Sequence, residues 1–172
     1  MFAALMPLAV TSYEFSVFVH ITAVMVGFGA TFAESIMFPV AMKTSPRHLP
    51  YVHRLQLTIN RWFAGPALVV VLATGIYQVS DSDAWEMGDA WISATLSIVI
   101  VISALLGGYF IPSDRRLGPM VQREIDAAGP DVSLSDLSAE YQRQARRQGI
   151  AGTITGILLI VAVYLMVVKP GA

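Results

Sequence analysis

No cysteine occurs among the 172 residues. That absence alone excludes disulfides, thiolate zinc sites, iron–sulfur clusters and covalently attached c-type haem. Charge is scarce as well: Asp, Glu, Lys and Arg make up 13% of the chain, where a soluble domain carries about a quarter. The two signs nearly balance, eleven bases facing twelve acids for a formal net charge of −1. The basic face that nucleic acid requires is missing, so no nucleic-acid partner is expected. A Gly-rich phosphate loop, a Ser/His/Asp set in suitable context and an HExxH motif are also lacking. What is present is apolar: 55% hydrophobic residues and a mean hydropathy of +0.63. A core of this size cannot hide that much apolar surface, so the excess must face lipid.

A helical span of hydrocarbon needs about 20 mostly apolar residues. Four stretches qualify, approximately 15–38, 62–80, 91–111 and 149–168. Backbone groups in lipid must be satisfied within their own segment, which makes helices the default. The expectation is an all-α membrane protein: a bundle of four transmembrane helices with short loops, forming one domain over 1–172. A cytoplasmic helical extension, approximately 112–148, is expected between helices three and four. It should break at Gly129-Pro130, cap at Ser133 with Asp136 three residues on, and run into helix four. Pro46 and Pro50 precede a short interfacial helix leading into helix two. No Lys or Arg precedes the first apolar run and no clean small-residue cleavage site follows it, so helix one is expected to stay uncleaved.

The charges are sorted. Lys43, Arg47, Arg54 and Arg61 lie between helices one and two with no acid. Arg115, Arg116, Arg123, Arg143, Arg146 and Arg147 lie between helices three and four. The remaining connection holds Asp81, Asp83, Glu86 and Asp89, no base, and the interfacial anchors Trp85 and Trp91. Ten of the eleven bases, all but Lys169, therefore fall on one side of a four-pass chain. The positive-inside rule makes that side cytoplasmic and both termini external, in a bacterial inner membrane.

Helices in lipid associate through small residues. Ala23, Gly27 and Thr31 form such a stripe on helix one, and Gly152 with Gly156 makes a GxxxG pattern on helix four. The latter is a candidate contact with a second copy or a larger membrane complex.

Ionisable groups are expensive inside a span, about 2.5–3.5 kcal/mol for Asp, Lys or Arg on insertion scales. Only His20 and Glu34 fall within the expected spans. Fourteen residues apart, they return to within ~40° on one helix face but stand roughly 21 Å apart along it. Glu34 is close in depth to Arg61, which suggests a structural ion pair. At the depth of His20 the other helices offer Tyr77, Gln78, Thr95, Tyr164 and Met166. A neutral imidazole could simply hydrogen-bond to one of these. Alternatively His20 ligates haem b or copper, with Met166 or Met25 as a second axial ligand, or donates to a quinone. Tyr77, Tyr164 and Met166 are then the accompanying cofactor-site candidates. His48 and His53 belong on the basic side, which removes bis-His ligation within one chain.

The run His20-Ile21-Thr22-Ala23-Val24-Met25-Val26-Gly27-Phe28-Gly29 resembles a family of uncharacterised predicted integral membrane proteins. That family is related to the copper-resistance D type and the membrane protoporphyrinogen oxidase of haem synthesis. Those proteins also place a histidine early in the first span and a glycine nine or ten residues later, here Gly29. Arg61, Pro66-Ala67 and Gly75 are similar to the bounds of the second span in the oxidase group. The resemblance implies the four-span architecture and a haem ligand at His20. Where those enzymes carry a lysine after a tryptophan in span three, Thr95 stands after Trp91 here, so it implies the architecture rather than the reaction.

Three functions fit these features. The first, and the one the residues favour, is a non-enzymatic accessory or assembly subunit packing in a membrane complex. The second is a haem b- or quinone-binding redox protein with His20 as ligand. The third is a copper or small-ion transporter. No catalytic set is recognisable, and enzymatic activity is not expected.

Overall fold

A computed structural model describes residues 10–171. The first nine, on which the expectation of an uncleaved leader bears, lie outside the described residues. Four long helical rods make up the described chain. Rod one is α1 (Ser12–Thr44). Rod two runs through α2 (Leu49–Ile59) and α3 (Gly65–Ser80), rod three through α4 (Ala90–Leu105) and α5 (Ile111–Ala128). Rod four is α6 (Ala139–Val168). At 30 to 39 residues, the rods are roughly 45–59 Å long, well beyond a hydrocarbon core of about 30 Å. All four are apolar enough to cross a membrane, and each contains one expected span. The protein is an all-α four-helix membrane bundle.

Local chemistry sets the rod ends. Thr11 and Glu14 cap α1 reciprocally: the Glu14 N–H donates to Thr11 Oγ1 at 3.1 Å, and the Thr11 N–H to Glu14 Oε2 at 2.9 Å. Gly129, at φ 86°, ends α5 just before Pro130, where the left-handed region favours glycine. Ser133 and Asp136 form the capping box expected there.

Rods two and three each contain one π turn, Asn60–Ala64 and Leu106–Phe110. Each is followed within two residues by a proline, Pro66 or Pro112. A proline in a helix interior lacks an N–H donor, and its ring clashes with the carbonyl four residues back. Widening the preceding turn by one residue lets the rod continue. Gly65 donates to the Asn60 carbonyl, and a Cβ on Gly65 would stand 3.0 Å from that oxygen. Only glycine fits there without a shift.

Within the apolar halves, α1 packs closely on α3 and α4 on α6, while contact between these two pairs is thin. The rods close together at the basic end, where α2 packs against α5. Leu49, Leu117 and Val121 are fully buried there with Val52, Ile125, Val132, Leu137 and Tyr141. Toward the acidic end many large side chains face outward, including Phe18, Val69, Ile100, Ile157 and Val167, although Trp91 and Ile92 are buried. Lys169 closes that end, its ammonium 4.1 Å from the Trp85 ring and 5.6 Å from Trp91.

Candidate functional site

The gap between the α1/α3 and α4/α6 pairs is a cavity of about 710 Å³. Its upper walls are apolar: Val24, Phe28, Leu68, Val99, Ile102 and Leu159. Its lower part, the floor, carries polar side chains, namely Glu34, Gln56, Asn60, Tyr141 and Gln148, and Thr155 lines it seven residues, ~10 Å, beyond Gln148 along α6. Exposed lining residues of α1 (Ser35, Pro39, Met42) and of α6 (Arg146, Gly149, Thr153) form its mouth. The cavity thus opens sideways between α1 and α6. Both π turns contribute wall, through Asn60 and Ala64 and through Leu106 and Phe110, and such turns recur at functional sites.

Behind the floor runs a buried hydrogen-bond chain. His53 on α2 is 1% exposed and Asp114 on α5 is 2% exposed. Their Nδ1 and Oδ1 atoms are 2.9 Å apart. Gln148 Nε2 donates to the same Oδ1 at 2.7 Å. Because Asp114 Oδ1 accepts from both, Nδ1 of His53 carries a hydrogen. In the neutral ring Nε2 then accepts from the Tyr141 hydroxyl, 3.0 Å away. Phe38 packs edge-on against the imidazole at 5.7 Å. Gly118 leaves it room, since a Cβ there would meet His53 Cβ at 3.4 Å. Asp114 orients His53, His53 orients Tyr141, and Tyr141 presents its oxygen to the cavity wall.

The floor itself is not satisfied. Glu34 Oε1, Gln56 Oε1 and Gln148 Oε1, and Thr155 Oγ1 above them, are buried and have no hydrogen-bond partner among the described residues. Each such orphan costs about 1–3 kcal/mol, more for a charged group. Asn60 stands beside Glu34, and Asp114 is within electrostatic reach of it.

The residues singled out from sequence are placed as follows. The Glu34–Arg61 ion pair does not form: Arg61 is exposed, and no salt bridge joins the two among the described residues. Depth alone suggested that pair, but Asn60, one residue and ~100° earlier on the helix, is the side chain turned inward. His20 is half-buried against α3, its Nδ1 2.8 Å from Thr74 Oγ1. The Thr74 hydroxyl donates to the Val70 carbonyl at 2.6 Å, so it accepts from His20 Nδ1–H. Tyr77 bonds Asp81 at 3.3 Å, Gln78 donates to Ser16, and Tyr164 is 57% exposed on the outer face of α6. Met166 is half-buried on α6. None of these four is joined to His20 by a hydrogen bond among the described residues.

His20 lines neither the main cavity nor a shallower groove of about 300 Å³ between α1 and the Trp62–Pro66 turn. Neither of these two cavities therefore places a haem b against His20. Among the described residues no three His, Asp or Glu side chains come together as a metal site. Gly152 lines the cavity, whereas Gly156 does not; neither would bring a Cβ into contact with the rest of the chain.

His53, Asp114, Tyr141 and Gln148 carried little signal in sequence. A faint one existed: His53, Gln56 and Asn60 recur at helical spacing, as do Tyr141, Ala145 and Gln148, each set marking one buried face.

Four membrane-length apolar helices enclosing a laterally open cavity define a polytopic integral membrane protein. The chain belongs to the family described as Predicted integral membrane protein (DUF2269), whose model matches residues 15–170. No curated protein and no solved structure matches it.

Proposed function

We propose that the protein binds a lipid-soluble amphiphile, its head on the polar floor and its tail between the two helix pairs. The cavity carries this reading. Ligand pockets run about 300–1,000 Å³, mostly apolar with a few convergent polar groups, and this one has about 710 Å³ and that division of its lining. From Glu34 to Ala23 the apolar wall climbs eleven residues of α1, ~16 Å. Asn60 and Gln148 on the floor stand one and two residues from the exposed Arg61 and Arg146, bases suited to lipid headgroups. An amphiphile held there keeps the orientation it has in the bilayer. The positive-inside rule puts the floor in the cytoplasmic leaflet of a bacterial inner membrane, with both termini outside.

Native mass spectrometry after mild detergent extraction tests the reading. Gly152→Leu places a side chain in the cavity at a position where its Cβ meets nothing within 4 Å. The variant is expected to lose a copurifying small molecule while keeping its thermal midpoint. Equal ligand content in wild type and variant would overturn the reading.

An accessory or assembly subunit is the second reading. It is supported by Gly156, whose missing Cβ opens onto empty space on α6, as a close-packed partner helix requires. The chain has no native cysteine, so Gly156→Cys reports directly on a second copy. A disulfide-linked dimer on mild oxidation supports self-association at this face; a monomer at all protein concentrations counts against it.

A further inference from the structure

We propose that the head recognised on the cavity floor is a primary ammonium, and that the occupant is an amphiphile carrying one. The inference rests on the binding reading above and adds the chemistry of the ligand. Its basis is what the floor lacks. Glu34, Gln56 and Gln148 line the cavity there, and each keeps an oxygen buried without a partner among the described residues. Gln56 and Gln148 are each 9% exposed. The Gln148 amide cannot turn round to offer its N–H instead, because Nε2 is committed to Asp114 at 2.7 Å. Tyr141, having given its hydrogen to His53 Nε2 in the neutral-ring arrangement, presents lone pairs as well.

The Glu34 carboxylate, the Gln148 oxygen and, in the neutral-ring arrangement, the Tyr141 oxygen accept only, so they call for a ligand that donates. Charge narrows the choice. Glu34 has no basic partner among the described residues, and the one basic side chain lining the cavity is Arg146, exposed at the mouth. A carboxylate in such surroundings is costly unless paired. A primary ammonium supplies the missing positive charge and three N–H donors. A quaternary ammonium brings the charge without donors, a hydroxyl donors without charge, and an anionic head worsens the imbalance. Arg146 at the mouth suits a phosphate carried beside the ammonium, as in an aminophospholipid.

The test uses the full chain in nanodiscs of equal parts phosphatidylethanolamine and phosphatidylcholine, released into native mass spectrometry. The two lipids differ at the head only in three N–H donors against three methyl groups. The wild type is expected to retain phosphatidylethanolamine about tenfold over phosphatidylcholine, the worth of one charge-assisted hydrogen bond. Glu34→Gln should bring the ratio close to one. If that variant fails to fold, Gln56→Met, which removes one amide from the floor, should lower the ratio by a smaller factor. A long-chain primary alkylamine should displace the bound phospholipid, whereas its trimethyl analogue should not. Equal retention of both lipids by the wild type, with both lost in Gly152→Leu, would overturn the ammonium assignment and leave the cavity reading intact. Retention unaffected by Gly152→Leu would remove both. Displacement by amine and trimethyl analogue alike would show that charge without donors suffices, and the primary-ammonium claim would fall.

Discussion

The two ends of this bundle are held together by different physics. At the basic end α2 and α5 bury Leu49, Leu117 and Val121 completely, and the segment from Val132 to Ala145 completes that core. Toward the acidic end the same rods turn many large side chains outward and leave a cavity of about 710 Å³ between two helix pairs. In water the hydrophobic effect drives side chains together. Between helices in lipid that force is absent, because the tails are as apolar as leucine. A membrane protein that needs internal space can leave it where lipid surrounds the walls, provided the frame is fixed elsewhere. Here the extramembrane end supplies the frame, and His53, Asp114, Tyr141 and Gln148 tie α2, α5 and α6 together inside it.

The sharpest way to break that frame is Asp114→Ala. It strands the His53 Nδ1–H and Gln148 Nε2–H donors in a buried site, each at about 1–3 kcal/mol. A large fall in the thermal midpoint in detergent is expected; a midpoint at the wild-type value would mean that the chain does not hold the helices. Leu117→Ala comes next, at about 2–5 kcal/mol for a fully buried leucine. Its counterpart Ile157→Ala, at a side chain 55% exposed toward lipid, should change the midpoint little. Similar losses at both positions would erase the contrast between the two ends.

Smaller effects probe the termini of the rods. Lys169→Ala removes the cation from Trp85 and Trp91, worth about 0.5–1 kcal/mol at an exposed site. It should appear as faster hydrogen exchange in the last turn of α6 rather than as global unfolding. The least effect belongs to Asp136, whose carboxyl is held below its ordinary value by the Ser133 backbone N–H and hydroxyl. A depressed folded-state value contributes stability above the ordinary carboxylate range and loses it as pH falls through the folded value. Wild type and Ser133→Ala should therefore differ slightly at neutral pH and converge in acid. A gap that widens on acidification would contradict this.

Much of the frame was legible in the residues. Each expected span lies inside one rod, the break at Gly129-Pro130 and the cap at Ser133 are where turn chemistry puts them, and the arginine-rich stretch after Ser138 does run into α6. The site was not legible. His20 and Glu34 stood out because a polar group in a hydrophobic run is conspicuous, yet His20 lies against Thr74 away from the cavity. Asp114, flanked by Ser113 and Arg115, sits where charges are ordinary, so nothing marked it as buried.

Span positions, the sorting of basic residues to one end and the helix caps follow from sums and neighbours along the chain, and the amino acids alone determine them. Which side chains meet depends instead on the rotation of one helix against another. The two π turns shift that rotation partway along rods two and three, turning Asn60 rather than Arg61 toward Glu34. Only the packed bundle could decide that phase, and with it the partners of Asp114 and the cavity beside them, because a residue's rotational setting is a property of two helices in contact and not of either one.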